Sequence, residues 1–285
     1  MKQKSNVSIV IPVYNEAASI AACLDAIAQQ TVSPLEVLVV DNNSSDDTVA
    51  IASRYAFVTV LHESRQGVVF ARDTGFDAAA GAIIGRIDAD TIIDAGWVAT
   101  AQRLFAVNNY GAVTGSVTYH DLALSPFLSA LDLKVRKYLA YSLGDEVAIQ
   151  GANMAIRRDV WTDVRRRVCR SGGMHEDFDL GIHTNWQGHK VVFDPQLRAA
   201  IGARQTEASF QNYARYITLS PKTYALHGLK SRRYMYPVVV AGIAFYGVLK
   251  LLHRGYDKRD GTFSWSSLVF TTKGSRVNPA TYGDY

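Results

Sequence analysis

Asp88 and Asp90 stand one residue apart just after the apolar run Ala82 to Ile87. Two carboxylates at that spacing can both approach a hard cation such as Mg2+ or Mn2+, which prefers oxygen ligands and bridges phosphate oxygens. The same pattern also serves as an Asx-turn or as a cap before Gly96-Trp97. A second acidic pair, Glu176-Asp177, precedes an apolar-patterned run, where a carboxylate can act as general base or merely complement a helix dipole. Two further polar clusters follow apolar runs: Pro12-Val13-Tyr14-Asn15-Glu16, and Asp41-Asn42-Asn43-Ser44-Ser45-Asp46-Asp47-Thr48. Neither holds a GxGxxG fingerprint or a GxxxxGK[ST] loop, so a nucleotide bound here is held by carboxylates and a metal.

These clusters need a scaffold that gathers them at one edge. Val7 to Val13, Leu35 to Val40, Phe57 to Leu61 and Ala82 to Ile87 are short, aliphatic-rich runs of the kind that form strands buried on both faces. Ile20, Leu24 and Ile27 recur at helical spacing between the first two, and Thr48 to Tyr55 reads as a shorter helix. Alternating strands and helices predict an α/β fold with a mostly parallel sheet, helices on both faces, and ligands at the carboxyl ends of the strands. Beyond them, Gly111 to Tyr119, Ala148 to Ile156 and Lys190 to Phe193, closed by Asp194-Pro195, read as strands. Phe127 to Leu139, Asp159 to Arg167 and Phe178 to Trp186 read as helices.

At this point the chain resembles the family 2 glycosyltransferases of GT-A fold, from about Val7 to about Arg204. Six motifs in order carry the resemblance: VSIVIPVYNE, VLVVDNNSSDDT, RQGVVFARDTG, IDADT, QGANMAIRRDVW and HEDFDLGIHTNWQGHKVVFDP. It implies an inverting transfer from a nucleotide-sugar donor, with Pro12, Tyr14 and Glu16 lining the nucleoside pocket and Asp41 accepting from the base. Arg72 would hold the nucleotide, Asp88 the ribose or metal, and Asp90 a divalent cation on the diphosphate. Asp177 would be the catalytic base, with Gly151, Asn153 and Glu176 on the acceptor side. It also implies a catalytic domain over 1–205, split into a donor half (1–118) and an acceptor half (119–205), followed by an appendage over 206–285. Many relatives place a metal-binding His after the last of these strands; here Gln196 to Arg204 has none, leaving Arg204 to neutralise the diphosphate and His183 and His189 as weaker ligands. The Gln-x-x-Arg-Trp motif of processive synthases is absent too, since Gln211 to Tyr216 is one residue longer and ends in Tyr, which favours single sugar additions.

Composition bounds the rest. With 48% hydrophobic and 20% charged residues in 285, the chain is globular. Cys23 and Cys169 lack CxxC spacing and read as reduced thiols, Cys23 as core packing and Cys169 among arginines able to lower its pKa. Residues 1–200 hold 18 Lys and Arg against 22 Asp and Glu, whereas 201–285 hold 12 against 4. The basic end suits an anionic membrane surface better than nucleic acid, because its cations are not interleaved with an RNA-binding aromatic motif. Tyr234 to Leu249 is 16 residues without charge, about 24 Å as a helix, too short for a bilayer core of about 30 Å. It is expected to lie in one leaflet or pack in the core. A polar start, Met1 to Asn6, without an apolar signal region points to the cytoplasm and the inner membrane face. The acceptor is then a glycan or a lipid-linked sugar, with polyprenyl phosphate or a catalytically silent binding role as alternatives.

Overall fold

The computed structural model describes residues 5–203, 208–257 and 262–263. Strands β1 (Val7–Val13), β2 (Glu36–Asp41), β3 (Val58–His62) and β4 (Ile83–Ile87) are parallel neighbours in the order β3-β2-β1-β4. The sheet continues through β7 (Asn153–Arg157), β6 (Ala112–Tyr119), β8 (Val191–Ile201) and β5 (Ile92–Ile93). β7 runs antiparallel to both neighbours, and β6 and β8 are parallel.

Side chains alternate between two cores, as the pleat requires. Val7, Ile9, Ile11 and Val13 of β1 face α1 (Ile20–Ala28) and α4 (Trp97–Val107), together with Leu24, Ile27, Trp97 and Leu104. Val10, Leu38 and Val40 face the other way, onto α3 (Val68–Ala78), α6 (Arg158–Val164) and α7 (Glu176–Trp186) through Phe76, Trp161 and Leu180. Gly75 is what lets α3 sit so close to β1, because a Cβ there would lie 2.3 Å from Val10 Cγ1.

Three differences from the sequence expectations have local causes. The run 148–156 becomes a strand only from Asn153, because the amides before it bond to side chains: Gln150 N to Thr114 Oγ1 at 3.1 Å and Gly151 N to Asp177 Oδ2 at 2.8 Å. β8 does not stop at Asp194-Pro195. A bulge between Gly115 and Ser116 lets Pro195 sit out of the ladder, its carbonyl accepting from Ser116 Oγ at 3.0 Å, and pairing resumes at Arg198. The helix α2 (Thr48–Ala52) is shorter than expected, α3 was not foreseen, and of α4 only a start near Gly96-Trp97 was.

The C-terminal helices α8 (Phe210–Leu226) and α9 (Tyr236–Arg254) follow α5 (Ser125–Leu143) onto one side of the body. Leu143, Ile182, Tyr224 and Met235 form a small core joining them to α7, and His253 Nδ1 lies 3.1 Å from the Asp121 carbonyl.

Candidate functional site

The carboxyl ends of β1, β2 and β3 lie level, since Val13 pairs with Asp41 and Asp41 with His62. The polar runs beyond them clasp each other. Asn15, at φ 54°, accepts from Ser45 N at 2.8 Å; Glu16 N donates to Thr48 Oγ1 at 2.7 Å and Ala17 N to Asp46 Oδ2 at 3.1 Å. Much of the Ser- and Asp-rich sequence is therefore loop construction. Pro12, Tyr14 and Glu16 are half-buried along this edge. Asp41 is 6% exposed, with Oδ1 accepting from Ser44 N at 3.0 Å and Oδ2 3.3 Å from His62 Nδ1. Asn42, which the sequence did not single out, joins this edge to the loop before α3. Its amide donates to the carbonyls of Glu63 and Arg65 at 2.9 and 2.7 Å and accepts from Gly67 N at 2.7 Å.

β4 delivers Asp88 to the same edge, and the turn closes through Thr91 N to Asp88 O at 3.0 Å. Two residues earlier, Arg86 is buried and reaches both acidic motifs, with Nη2 3.1 Å from Asp88 Oδ1 and Nη1 2.8 Å from Glu176 Oε1. Glu176 Oε2 and its own carbonyl take the guanidinium of Arg72, the carbonyl at 2.8 Å. Burial raises the Glu176 carboxyl, but Arg86 and Arg72 together outweigh it and hold the group below its ordinary range. Asp177 beside it is poised the other way. Burial and then the Glu176 charge raise it, against His175, Arg86 and the Gly151 N–H. Adjacent carboxylates are thus driven in opposite directions, Glu176 toward its ionised form and Asp177 toward its protonated one.

The structure brings Asp88, Asp90, Glu176 and Asp177 together and assigns other work to several expected ligand-binding residues. Arg72 does not present itself to a nucleotide: its side chain is 0% exposed and spent on Asp73 and Glu176. Glu176, expected at the acceptor, has both oxygens taken by the two arginines. Asn153 is likewise 0% exposed, accepting from Trp97 Nε1 at 2.8 Å and donating to the Ser116 and Leu197 carbonyls at 2.9 Å each. Gly151 is required for a reason other than sugar approach, because a Cβ there would fall 1.3 Å from Arg86 Nη1. Trp161 is core, 1% exposed. Arg204 lies outside the described residues. The arginines near Cys169 do not activate it; burial and Asp179 push its thiol up to about 11.

Sequence reasoning missed Arg86 and Tyr216. A charge inside the wholly buried strand Ile83-Ile84-Gly85-Arg86-Ile87 must be paired, and that was a readable signal. Tyr216 arrives from α8, whose ring meets His175 edge-on at 4.8 Å, and its hydroxyl is pushed up by burial and then by Asp177 and Asp88. Only tertiary packing could place it there.

Asp88 and Asp90 suit a hard divalent cation. Removal from water pushes the Asp88 carboxyl up to about 6, with Arg86 opposing and Asp90, Asp177 and Glu176 adding to the rise. After burial itself, Asp90, Asp88 and Glu16 all push the Cys23 thiol up, so three carboxylates lie within electrostatic reach of α1. That is a surplus of negative charge on oxygen donors, which a dication offsets.

A family model, "Glycosyl transferase family 2", matches residues 8–164. The glycosyltransferase AglE of Haloferax volcanii is 31% identical over 165 residues, covering 55% of this chain and 54% of that protein, so the chain spans about half the length of this relative. Among solved structures, a mannosyltransferase from Pyrobaculum calidifontis in complex with GDP-Man and Mn2+ superposes with a TM-score of 0.59 at 21% identity, covering 87% of this chain and 71% of that one. Staphylococcus aureus TarS 1-349 in complex with UDP gives 0.54 at 13% identity, over 90% of this chain and 71% of that one. These likenesses establish the GT-A fold, and with the match over more than half its length the chain belongs to glycosyl transferase family 2.

Proposed function

We propose that the chain is an inverting, non-processive glycosyltransferase that moves a sugar from a UDP- or GDP-sugar to a hydroxyl of a glycan or glycolipid. The observation that carries this reading is the opposed pair beside the Asp-x-Asp turn, Glu176 held ionised and Asp177 held basic, with Arg86 tying both to Asp88. Asp90 and Asp88 would hold Mn2+ or Mg2+, which when bound supplies positive charge to the departing diphosphate. Asp177 takes the proton from the acceptor hydroxyl as it attacks the anomeric carbon from the face opposite the leaving group. Gly151 N–H, 2.8 Å from Asp177 Oδ2, and Phe178 N–H, 2.9 Å from Oδ1, fix the carboxylate's orientation. Pro12, Tyr14, Glu16 and Asp41 line the edge where the nucleoside would lie, and the binding of GDP-Man or UDP by the two fold relatives supports that donor class. Incubating the purified chain with Mn2+ and a panel of UDP- and GDP-sugars tests the proposal. Turnover that Asp177→Asn lowers by about 10²-fold or more is expected; no hydrolysis or transfer from any donor would support a silent binding protein instead.

The acceptor side favours a lipid-linked substrate at a membrane. A cavity of about 170 Å3 opens between α5, α8 and α9, lined by Val135, Leu139, Leu143 and Val239 and reaching Gln150 and Phe178 beside the base. The helix continuing through Arg254 is long and apolar enough to cross a bilayer by composition, with a mean hydropathy of 1.8, yet only 17% of that window is buried in the body. Its seam Val239, Tyr246 and His253 packs inward while Tyr236, Val240, Phe245, Val248 and Leu251 face out. Phe127, Leu131, Tyr138 and Tyr141 of α5 are exposed as well, with Lys134 and Lys137 on the same helix. This arrangement suits a peripheral helix lying in the anionic inner leaflet. Were the acceptor a polyprenyl phosphate, already ionised, Asp177→Asn would leave turnover unimpaired.

A further inference from the structure

Further along α7 from Glu176 and Asp177, four side chains from three parts of the chain converge: Cys169 from the loop after α6, Asp179 and His183 from α7, and His227 from the C-cap of α8. We infer that Cys169, Asp179, His183 and His227 form a closed tetrahedral Zn2+ site that staples α8 and the α6–α7 loop to the helix carrying the base.

The geometry is that of a ligand set. One donor atom from each residue lies within 4.8 Å of all the others. Cys169 Sγ is 3.8 Å from His183 Nε2 and 4.0 Å from His227 Nε2, while Asp179 Oδ1 is 3.4 Å from His183 Nε2 and 2.9 Å from His227 Nε2. A zinc ion with bonds of about 2.0 Å to nitrogen and oxygen and about 2.3 Å to sulfur separates its ligands by roughly 3.3 to 3.5 Å. Asp179 and His183 are four residues apart on α7 and so share one face.

An independent observation points to a cation. His227 Nδ1 is 2.8 Å from the Thr223 carbonyl while Nε2 is 2.9 Å from the Asp179 carboxylate, so both ring nitrogens face acceptors. A neutral imidazole has one N–H. With that proton on Nδ1, the Nε2 lone pair and the Asp179 carboxylate face one another, an arrangement that a bound cation satisfies and that without one needs a second proton on the ring. The outer hydrogen bond of a ring nitrogen to a backbone carbonyl is the usual orienting contact of a metal-bound histidine. Asp179 is 0% exposed and, among the described residues, has no lysine or arginine ion partner. Its Oδ2 accepts from Cys169 N, at 2.8 Å. A carboxylate and a metal-bound thiolate together cancel the charge of one Zn2+, leaving a neutral buried centre, and the ion itself keeps the thiol deprotonated. Trp186 closes the outer side, its ring 5.2 Å from His183 and 5.4 Å from His227.

Thiolate and imidazole donors select zinc over Mg2+ or Mn2+, so this centre differs in kind from the Asp88 and Asp90 site and does not depend on the proposed reaction. The test uses the full chain. Elemental analysis of protein purified without chelator should find about one zinc per chain, as a closed structural site requires. Occupancy should drop about tenfold or more in Cys169→Ser and in His227→Ala. Because either variant may lose its fold, the unsubstituted protein is also stripped and titrated with Co2+. Intense tetrahedral bands with a thiolate-to-cobalt charge-transfer absorption are expected, displaced by Zn2+ but not by Mg2+. Zinc-free protein giving only the weak spectrum of hexa-aqua cobalt would overturn the assignment and leave an Asp179–His227 ion pair in its place.

Discussion

Asp177 is where the account is most exposed to test. As a base it works deprotonated, and its carboxyl is raised by burial and by Glu176. Acidification should therefore protonate it, and halve kcat, at a pH above the ordinary carboxylate range; a kcat profile across acidic pH checks this. Asp177→Asn should lower kcat by about 10²- to 10⁴-fold while nucleotide affinity stays put, measured by turnover beside calorimetry. Glu176→Gln acts on a different quantity. It removes one of two carboxylate partners from each of two buried guanidinium groups, and loss of one member of a buried ion network costs up to roughly 3–5 kcal/mol, readable by urea denaturation. Gly151→Ala should reproduce part of both effects, since its Cβ displaces Arg86 from between Asp88 and Glu176. The acidic residues were legible in the sequence because carboxylates after strands advertise themselves. Their arginine partners were legible only in part, for pairing across a fold leaves no spacing to read: Arg72 read as a nucleotide ligand or a surface partner of Asp73 or Asp77, and it is wholly enclosed, bonded to Asp73 and to Glu176.

Among the elements, those with strong periodicity were read nearly to the residue, β1 and the α1 stripe foremost, because a strand buried on both faces and a helix buried on one leave distinct patterns. α3 escaped notice, since Gly75 and the buried Arg72 and Asp73 replace the apolar stripe that would mark it. β8 was cut short at a proline that the fold accommodates in a bulge. The 16-residue apolar run became a 19-residue helix, α9, neither core nor free but seamed to the body along Val239, Tyr246 and His253. Its outer face carries the membrane expectation. Each apolar side chain entering a leaflet contributes roughly 1.5–3 kcal/mol, so Val240→Asp with Phe245→Asp should weaken sedimentation with anionic vesicles by at least about tenfold. Both positions are more than half exposed, so the thermal midpoint should barely move.

At the scale of the molecule, the charge asymmetry of the sequence takes on a shape. The acidic front two-thirds builds a sheet whose carboxyl edge collects Glu16, Asp41, Asp88, Asp90, Glu176 and Asp177, while the basic remainder supplies α8 and α9 against α5 and α7. In the proposed reading the acidic edge would take a cation and its nucleotide, and the α8–α9 face beside it an anionic surface. The Asp-x-Asp turn ties these together in the proposed reading, because with no histidine in Gln196 to Arg204 a cation there would draw on the donor's diphosphate to complete its shell. Calorimetric titration of UDP and GDP with and without Mn2+, on the full chain and on Asp90→Asn, tests this directly. At least one diphosphate should bind about tenfold or more tightly with Mn2+, and Asp90→Asn should remove that gain. Binding of neither nucleotide, or equal affinity with the metal chelated, would contradict the account.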